Sequence, residues 1–158
     1  MIDNRADGNS STYSGTMFLH AAARNIHTEI SKLLLNNKTN INASNSEDGT
    51  MPLHVAALNG DTNIQKLLLL NKADMNASAH IGVTAVYIAA ENGHTEVVKL
   101  LLNSKADVNA SCTTDGTTPP HAATWRGHRV VKWLLDNRGD INESCMVDAD
   151  LHLIFILL

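Results

Sequence analysis

A segment of 33 or 34 residues recurs four times along this chain of 158 residues. The glycines that open the four copies, Gly15, Gly49, Gly82 and Gly116, lie 34, 33 and 34 residues apart. Each copy places a short alanine-containing segment before a leucine-rich one, with a turn between them. One such pair of helices cannot bury its own leucines, so each copy must pack against the next. The repetition therefore predicts an all-α solenoid of about four helix-turn-helix repeats with connecting β-turn loops.

The second copy shows how each helix is specified. Pro52 opens its first helix, at a position where the missing N–H costs nothing. Ala56 and Ala57 follow, and such small side chains let neighbouring helices approach closely. Gly60 ends the helix, because a C-terminal cap favours a left-handed residue. The block Leu67–Leu70 then gives the second helix its apolar surface.

These residues resemble the ankyrin repeat, over about residues 12–145. The element Met51-Pro52-Leu53-His54 and the stretch from Ala89 to Ala110 carry the resemblance best. It implies one ankyrin domain, divided as follows: a remnant of a preceding repeat at 1–11, repeats at 12–45, 46–78, 79–112 and 113–145, and an atypical apolar tail at 146–158.

Three positions depart from the repeat pattern. Ile26 stands where other copies have a turn glycine, which predicts a strained helix end at a cost of about 1 kcal/mol. Pro120 replaces a core leucine, with a loss of roughly 1.5–3 kcal/mol of apolar burial. Tyr87 replaces the histidine that, by resemblance, ties the turn to the helix. We therefore expect repeats 1 and 4 to be weaker than repeats 2 and 3.

Both ends of the chain break the pattern. Residues 4–9 align with residues 71–76, so Met1 falls inside the second helix of an incomplete repeat. The tail Leu151–Leu158 is apolar, whereas terminal repeats normally present a polar outer face. We expect a fragment of a longer array or a truncated product with an altered end. The alternative is an apolar segment that docks a partner or mediates self-association. A membrane anchor is disfavoured, because eight apolar residues are too few to span a bilayer.

Composition narrows the class of protein. Twelve Lys and Arg residues against 16 Asp and Glu residues give a net charge of -4, which argues against a nucleic-acid-binding surface. No apolar run reaches the roughly 20 residues of a membrane helix, and the polar N-terminus does not read as a secretory signal. We therefore expect an intracellular monomer, cytoplasmic or nuclear, that binds neither nucleic acid nor membrane.

The histidines, the cysteines and the Arg-Gly-Asp tripeptide, which could suggest a metal site, a disulfide or an adhesion site, occupy recurring positions of the repeat. Same-phase histidines, such as His20 and His54, should lie roughly 8–10 Å apart, too far to share a zinc ion held at about 2 Å. Cys112 and Cys145 occupy successive loops, which predicts free thiols. The adhesion-like tripeptide Arg138-Gly139-Asp140 belongs to the same repeat position as Lys72-Ala73-Asp74. No phosphate-binding loop or nucleophile elbow occurs, so we predict neither a cofactor nor an enzyme.

One asparagine position recurs in every copy, as Asn42, Asn76, Asn109 and Asn142. Each precedes a glycosylation-like pattern, but asparagine suits a turn through hydrogen bonds to its own backbone. We therefore interpret the position as structural. By resemblance it is also a target of intracellular asparaginyl hydroxylation, and Asn76 and Asn109 fit that context best.

The resemblance implies a partner protein that binds the concave surface formed by loop tips and first helices. Mapping that surface onto this chain gives nine candidate residues: Tyr13, Arg24, Asp48, Leu58, Asn59, Ile81, Glu91, Trp125 and Arg126. Asp115 and Thr117 are among the further positions of the same surface. Trp125 and Arg126 come first, because aromatic residues and arginine dominate binding interfaces. Two alternatives stay open: Trp125 caps the last complete repeat, or the array is a structural spacer with no partner of its own.

Overall fold

The computed structural model describes residues 18–112 and 114–140. This part of the chain forms eight α-helices: α1 (Phe18–Arg24), α2 (Thr28–Asn36), α3 (Pro52–Asn59), α4 (Thr62–Leu70), α5 (Ala85–Glu91), α6 (Thr95–Asn103), α7 (Pro119–Trp125) and α8 (Val130–Asp136). Its β-structure is a single antiparallel bridge between Ser78 and Thr84. The prediction of an all-α fold is confirmed.

The helices form two layers. The first helices of successive repeats pack side by side, α1 on α3, α3 on α5 and α5 on α7. The second helices do the same, α2 on α4, α4 on α6 and α6 on α8. Each helix pair thus contacts the pair before it and the pair after it, which is the arrangement of a solenoid.

The core lies between the layers and is aliphatic. Ala56 and Ala57 are fully buried in α3, as predicted for close helix approach. The leucine-rich blocks are only partly buried: Leu68 is fully buried, whereas Leu70 is 82 % exposed. Because a helix turns about 100° per residue, four consecutive leucines cannot all face the core. The block therefore supplies one deeply buried residue and leaves apolar surface on the outer layer.

The recurring asparagine links each repeat to the next one. The side-chain oxygens of Asn42, Asn76 and Asn109 accept the backbone N–H of Asp74, Asp107 and Asp140, at 3.0, 2.8 and 2.7 Å. The expectation that this asparagine bonds its own backbone was wrong, because the residue two positions earlier makes the local turn, as Asp74 does for the N–H of Asn76. The asparagine therefore has a structural role, because its amide oxygen joins adjacent repeats.

A histidine after the turn makes a second link between repeats. The Nε2–H of His94 donates to the carbonyl of Leu58 at 3.0 Å, across the boundary between α3 and α6. His128 donates in the same way to the carbonyl of Glu91, at 2.9 Å. Asp61 holds the corresponding place in the second copy and instead caps α4, by accepting the N–H groups of Asn63 and Ile64.

Ile26 adopts the left-handed conformation that the pattern predicted to be strained, with φ at 60°. A β-branched residue in this region costs roughly 1–2 kcal/mol. Since its side chain is 57 % exposed, replacement forfeits little burial. We therefore expect Ile26→Gly to raise the free energy of unfolding by about 1 kcal/mol, measured by urea titration. Lys72→Gly, at φ 66°, is the matched unbranched control and should gain less; an equal gain would contradict the steric explanation.

The second helix of the last described repeat is shorter than its counterparts. α8 has seven residues, while α2, α4 and α6 each have nine. Arg129 precedes it and makes no side-chain cap hydrogen bond.

Of the sequence-based predictions, those on Tyr13, Cys145, Asn142, the N-terminal remnant and the apolar tail lie outside the described residues. None of the eight helices has the length and apolar character needed to cross a membrane.

Candidate protein-binding surface

Stacking brings equivalent residues of successive repeats to one side of the array. Near the ends of the first helices, Arg24, Leu58, Glu91 and Trp125 occupy one such position. At the loop tips, Asp48, Ile81 and Asp115 occupy another. Three apolar members of these rows are exposed, with exposed fractions of 55 %, 52 % and 63 % for Leu58, Ile81 and Trp125. Their side chains are therefore available for contact.

The two rows meet in a cleft between α5 and α7. Its volume is about 250 Å³, and seven residues line it: Tyr87, Glu91, Asp115, Thr117, Ala122, Trp125 and Arg126. Three of the nine predicted residues, Glu91, Trp125 and Arg126, come together here. Arg24, Asp48, Leu58, Asn59 and Ile81 do not line the cleft.

An ion pair spans one rim of the cleft. Nη2 of Arg126 donates to Oε1 of Glu91 at 2.9 Å, and the two residues belong to adjacent repeats. Both side chains are partly exposed to solvent. An exposed pair of this kind contributes little to stability, so it can exchange partners at small cost.

A chain of hydrogen bonds lines another part of the cleft. Oδ1 of Asp115 accepts both the backbone N–H of Thr117 at 2.9 Å and its hydroxyl hydrogen at 2.7 Å. The hydroxyl of Tyr87 lies 3.1 Å from Oγ1 of Thr117. Because Thr117 gives its hydrogen to Asp115, Tyr87 is the donor in that contact.

The ionisation of the two end groups follows from these contacts. The hydrogen bonds from the backbone and hydroxyl of Thr117 lower the pKa of Asp115 below its usual value. Burial raises the pKa of Tyr87 above its usual value, an effect that the hydrogen bond to Thr117 only partly offsets. At neutral pH this part of the cleft therefore presents a carboxylate and a protonated phenol.

Comparison with known families agrees with this architecture. A family model described as ankyrin repeats (3 copies) matches residues 1–79 and 53–145. The chain belongs to the ankyrin-repeat family. Ankyrin repeats are generally protein-interaction modules and are typically not enzymes. Comparison with curated proteins found no match.

Two predicted residues of the ankyrin array are occupied by internal contacts. The side-chain amide of Asn59 donates to the carbonyls of Ala23 and Arg24, at 3.2 and 2.9 Å, and so ties α3 to the end of α1. Asp48 accepts the N–H and hydroxyl of Thr50, at 2.9 and 2.7 Å. Burial would raise the pKa of Asp48, but these hydrogen bonds lower it.

Sequence reasoning missed Tyr87 and Ala122 as lining residues of the ankyrin cleft. The departure at Tyr87 was visible but was interpreted only as the loss of a histidine. At the same position of other repeats, His20 bonds to the carbonyl of Thr50 in the following repeat, and His54 bonds to the carbonyl of Ala77 at the end of its own repeat. A tyrosine is longer, and its hydroxyl reaches the Thr117 side chain in the cleft wall. The change of residue type was the signal that could have located the cleft.

The described ranges, 18–112 and 114–140, hold no group of three or more His, Cys, Asp or Glu residues that could bind a metal ion. Cys112 is a buried free thiol, and its Sγ lies 3.1 Å from the carbonyl of Ile81 in the preceding loop. The side chain therefore serves as packing between successive ankyrin loops.

Proposed function

We propose that this ankyrin array is a protein-interaction module that binds its partner through the face formed by the first helices and loop tips. The observation that carries the proposal is the exposure of Trp125, 63 %, beside a cleft that both rows of residues line. Tryptophan is enriched among the residues that dominate binding energy. Leu58 and Ile81 extend the apolar surface along the same side, because equivalent positions of stacked repeats face the same way.

We also propose an intracellular location, cytoplasmic or nuclear, and a monomeric state. The free thiol of Cys112 is typical of a reducing compartment, although burial protects it as well. The repeat boundaries proposed from the sequence place one helix pair in each of the segments 12–45, 46–78, 79–112 and 113–145.

Trp125→Ala should weaken partner binding by more than about 1 kcal/mol and leave the fold intact, because an exposed side chain contributes little to the core. A partner captured by the wild-type chain would be titrated calorimetrically against both proteins, with helicity checked by circular dichroism. Leu70→Ala is the control, since Leu70 is a large apolar residue that is more exposed than Trp125 and lies on the second-helix layer. Unchanged affinity in Trp125→Ala, or equal loss in Leu70→Ala, would contradict the proposed face.

Two further changes distinguish a binding module from a structural spacer. A spacer would tolerate the double change Trp125→Ala and Arg126→Ala but would fail when a fully buried leucine such as Leu101 is removed. A binding module should lose its partner in the double variant while its thermal unfolding is unchanged. A pull-down with the double variant alongside wild type decides between the two.

A further inference from the structure

The part of the cleft wall formed by Asp115, Thr117 and Tyr87 offers hydrogen-bond acceptors, because its hydroxyl donors bond within the wall. Thr117 gives its hydroxyl hydrogen to Asp115, and Tyr87 gives its own to Thr117. The Tyr87 oxygen is therefore left with lone pairs for any further contact, as are the oxygens of the Asp115 carboxylate. The guanidinium of Arg126 is engaged with Glu91. A ligand group placed against the Asp115 and Tyr87 oxygens would have to be a donor.

The charge of the lining favours a cation. The lining residues include two carboxylates, Glu91 and Asp115, and one guanidinium, Arg126. Among the described residues no cationic side chain bonds to Asp115, whose carboxylate accepts from the N–H and hydroxyl of Thr117 and from the thiol of Cys112. The ion pair between Arg126 and Glu91 is partly exposed, and an incoming cation can compete with Arg126 for Glu91 at small cost.

The apolar lining of the cleft suits the aliphatic stem and the planar face of a guanidinium group. Ala122 and the exposed indole of Trp125 supply apolar surface next to the carboxylates. A guanidinium stacks on an indole face and carries five N–H donors in a planar fork, so it can meet several acceptors at once. An ammonium group has no planar face to stack and fewer donors.

We propose that this cleft binds an arginine side chain of the partner protein, with the guanidinium between the Trp125 face and the acceptors of Asp115 and Tyr87. The inference rests on the proposed function, because it names the chemistry of the partner at that same face. The volume of about 250 Å³ admits one long side chain. The remainder of the partner would then lie along the exposed Leu58 and Ile81.

The test uses three small probes with the full chain: acetyl-arginine amide, its uncharged citrulline analogue and acetyl-glutamate amide. Binding is followed by NMR through the indole Nε1–H resonance of Trp125, assigned by its loss in Trp125→Ala. We expect the arginine probe to shift this resonance in a saturable way and to bind at least about tenfold more tightly than citrulline. Equal binding of citrulline, or tighter binding of the glutamate probe, would overturn the proposal.

A pair of isosteric variants separates charge from turn geometry. Asp115→Asn should weaken the arginine probe by about tenfold and leave citrulline unaffected. Asp48→Asn is the matched control, because Asp48 makes the same two bonds to Thr50, at the same distances, outside the cleft. It should leave arginine binding unchanged. Equal effects of the two substitutions on arginine binding would mean that altered turn geometry, and not the Asp115 charge, causes the change, and this result would refute the arginine site.

The outcomes also distinguish this inference from the proposed function. If Trp125→Ala abolishes partner binding while the arginine probe shows no preference over citrulline, the interaction face stands and the arginine site is wrong. If Trp125→Ala leaves partner affinity unchanged while the arginine probe still binds the cleft, the proposed function is wrong and the cleft chemistry is right.

Discussion

Gly93→Ala should lower the free energy of unfolding by about 2–4 kcal/mol, from two separate causes. Gly93 has φ of 72°, where an L-residue is strained by roughly 1–2 kcal/mol. An added methyl group would also lie 2.7 Å from Nδ1 of His128, the ring that packs over this turn. Displacing that ring breaks its 2.9 Å hydrogen bond to the Glu91 carbonyl and so loosens the link between the third and fourth repeats.

Gly127→Ala provides the matched control for this prediction. Gly127 has nearly the same φ, 69°, but apart from its own chain neighbours no described residue has an atom within 4 Å of the position of its added methyl group. It should therefore show the backbone strain alone, about 1–2 kcal/mol. Urea unfolding of both variants measures the difference, and His128→Ala in the Gly93→Ala background should recover part of the loss by removing the clash. Equal destabilisation at the two glycines would refute the contribution of the histidine.

The repeat period was enough to predict the architecture, because a helix pair with one apolar side has few ways to bury it. The spacing of glycines and alanines placed the helices and their layers, and even the exception at Ile26 had the strained φ that its position implied. Period alone says which residues are equivalent. It does not say which neighbour each side chain contacts.

The sequence-based interpretation did not predict the side-chain contacts between repeats. Asn76 was assigned to its own turn, but its amide oxygen bonds the next repeat, which only the stacking geometry can reveal. Gln65 is another case: it is fully buried in α4 with both amide atoms lacking a hydrogen-bond partner within the described residues, while Val98 fills the equivalent position of α6. Ser31, also fully buried, fills the equivalent position of α2 and bonds the carbonyl of His27, whereas the longer Gln65 side chain makes no such bond.

The candidate site shows the same division. Trp125, Arg126 and Glu91 could be selected because the resemblance to the ankyrin repeat implies which positions of each copy form the binding surface. Their meeting with Tyr87 in one cleft depends on the separation of α5 and α7 and on the reach of a tyrosine hydroxyl. Neither quantity is encoded in residue spacing, so the cleft had to be seen in three dimensions.

His54→Ala should cost about 2–4 kcal/mol at neutral pH, because one buried ring satisfies two backbone groups. Its Nδ1 accepts the N–H of Met51 at 3.0 Å, at the start of α3, and its Nε2–H donates to the carbonyl of Ala77 at 3.1 Å, in the loop after α4. Alanine leaves both groups unpaired. His27 is the control, since it is exposed before α2 and makes no side-chain cap bond. His27→Ala should change stability by less than about 0.5 kcal/mol.

The same ring makes the array sensitive to acid. Burial lowers the pKa of His54 below its ordinary value of 6.5, although the hydrogen bond to Ala77 opposes the shift, and burial likewise lowers the pKa of His20. Below about pH 6.5 the unfolded chain therefore binds protons that the folded chain does not, so stability is full above that pH and falls as the pH drops toward the lowered folded-state pKa values. Each histidine contributes a slope of at most about 1.4 kcal/mol per pH unit. Urea unfolding between pH 7.5 and 5 should show this loss in wild type and a shallower one in His54→Ala; parallel profiles would mean that His54 does not titrate between the two states.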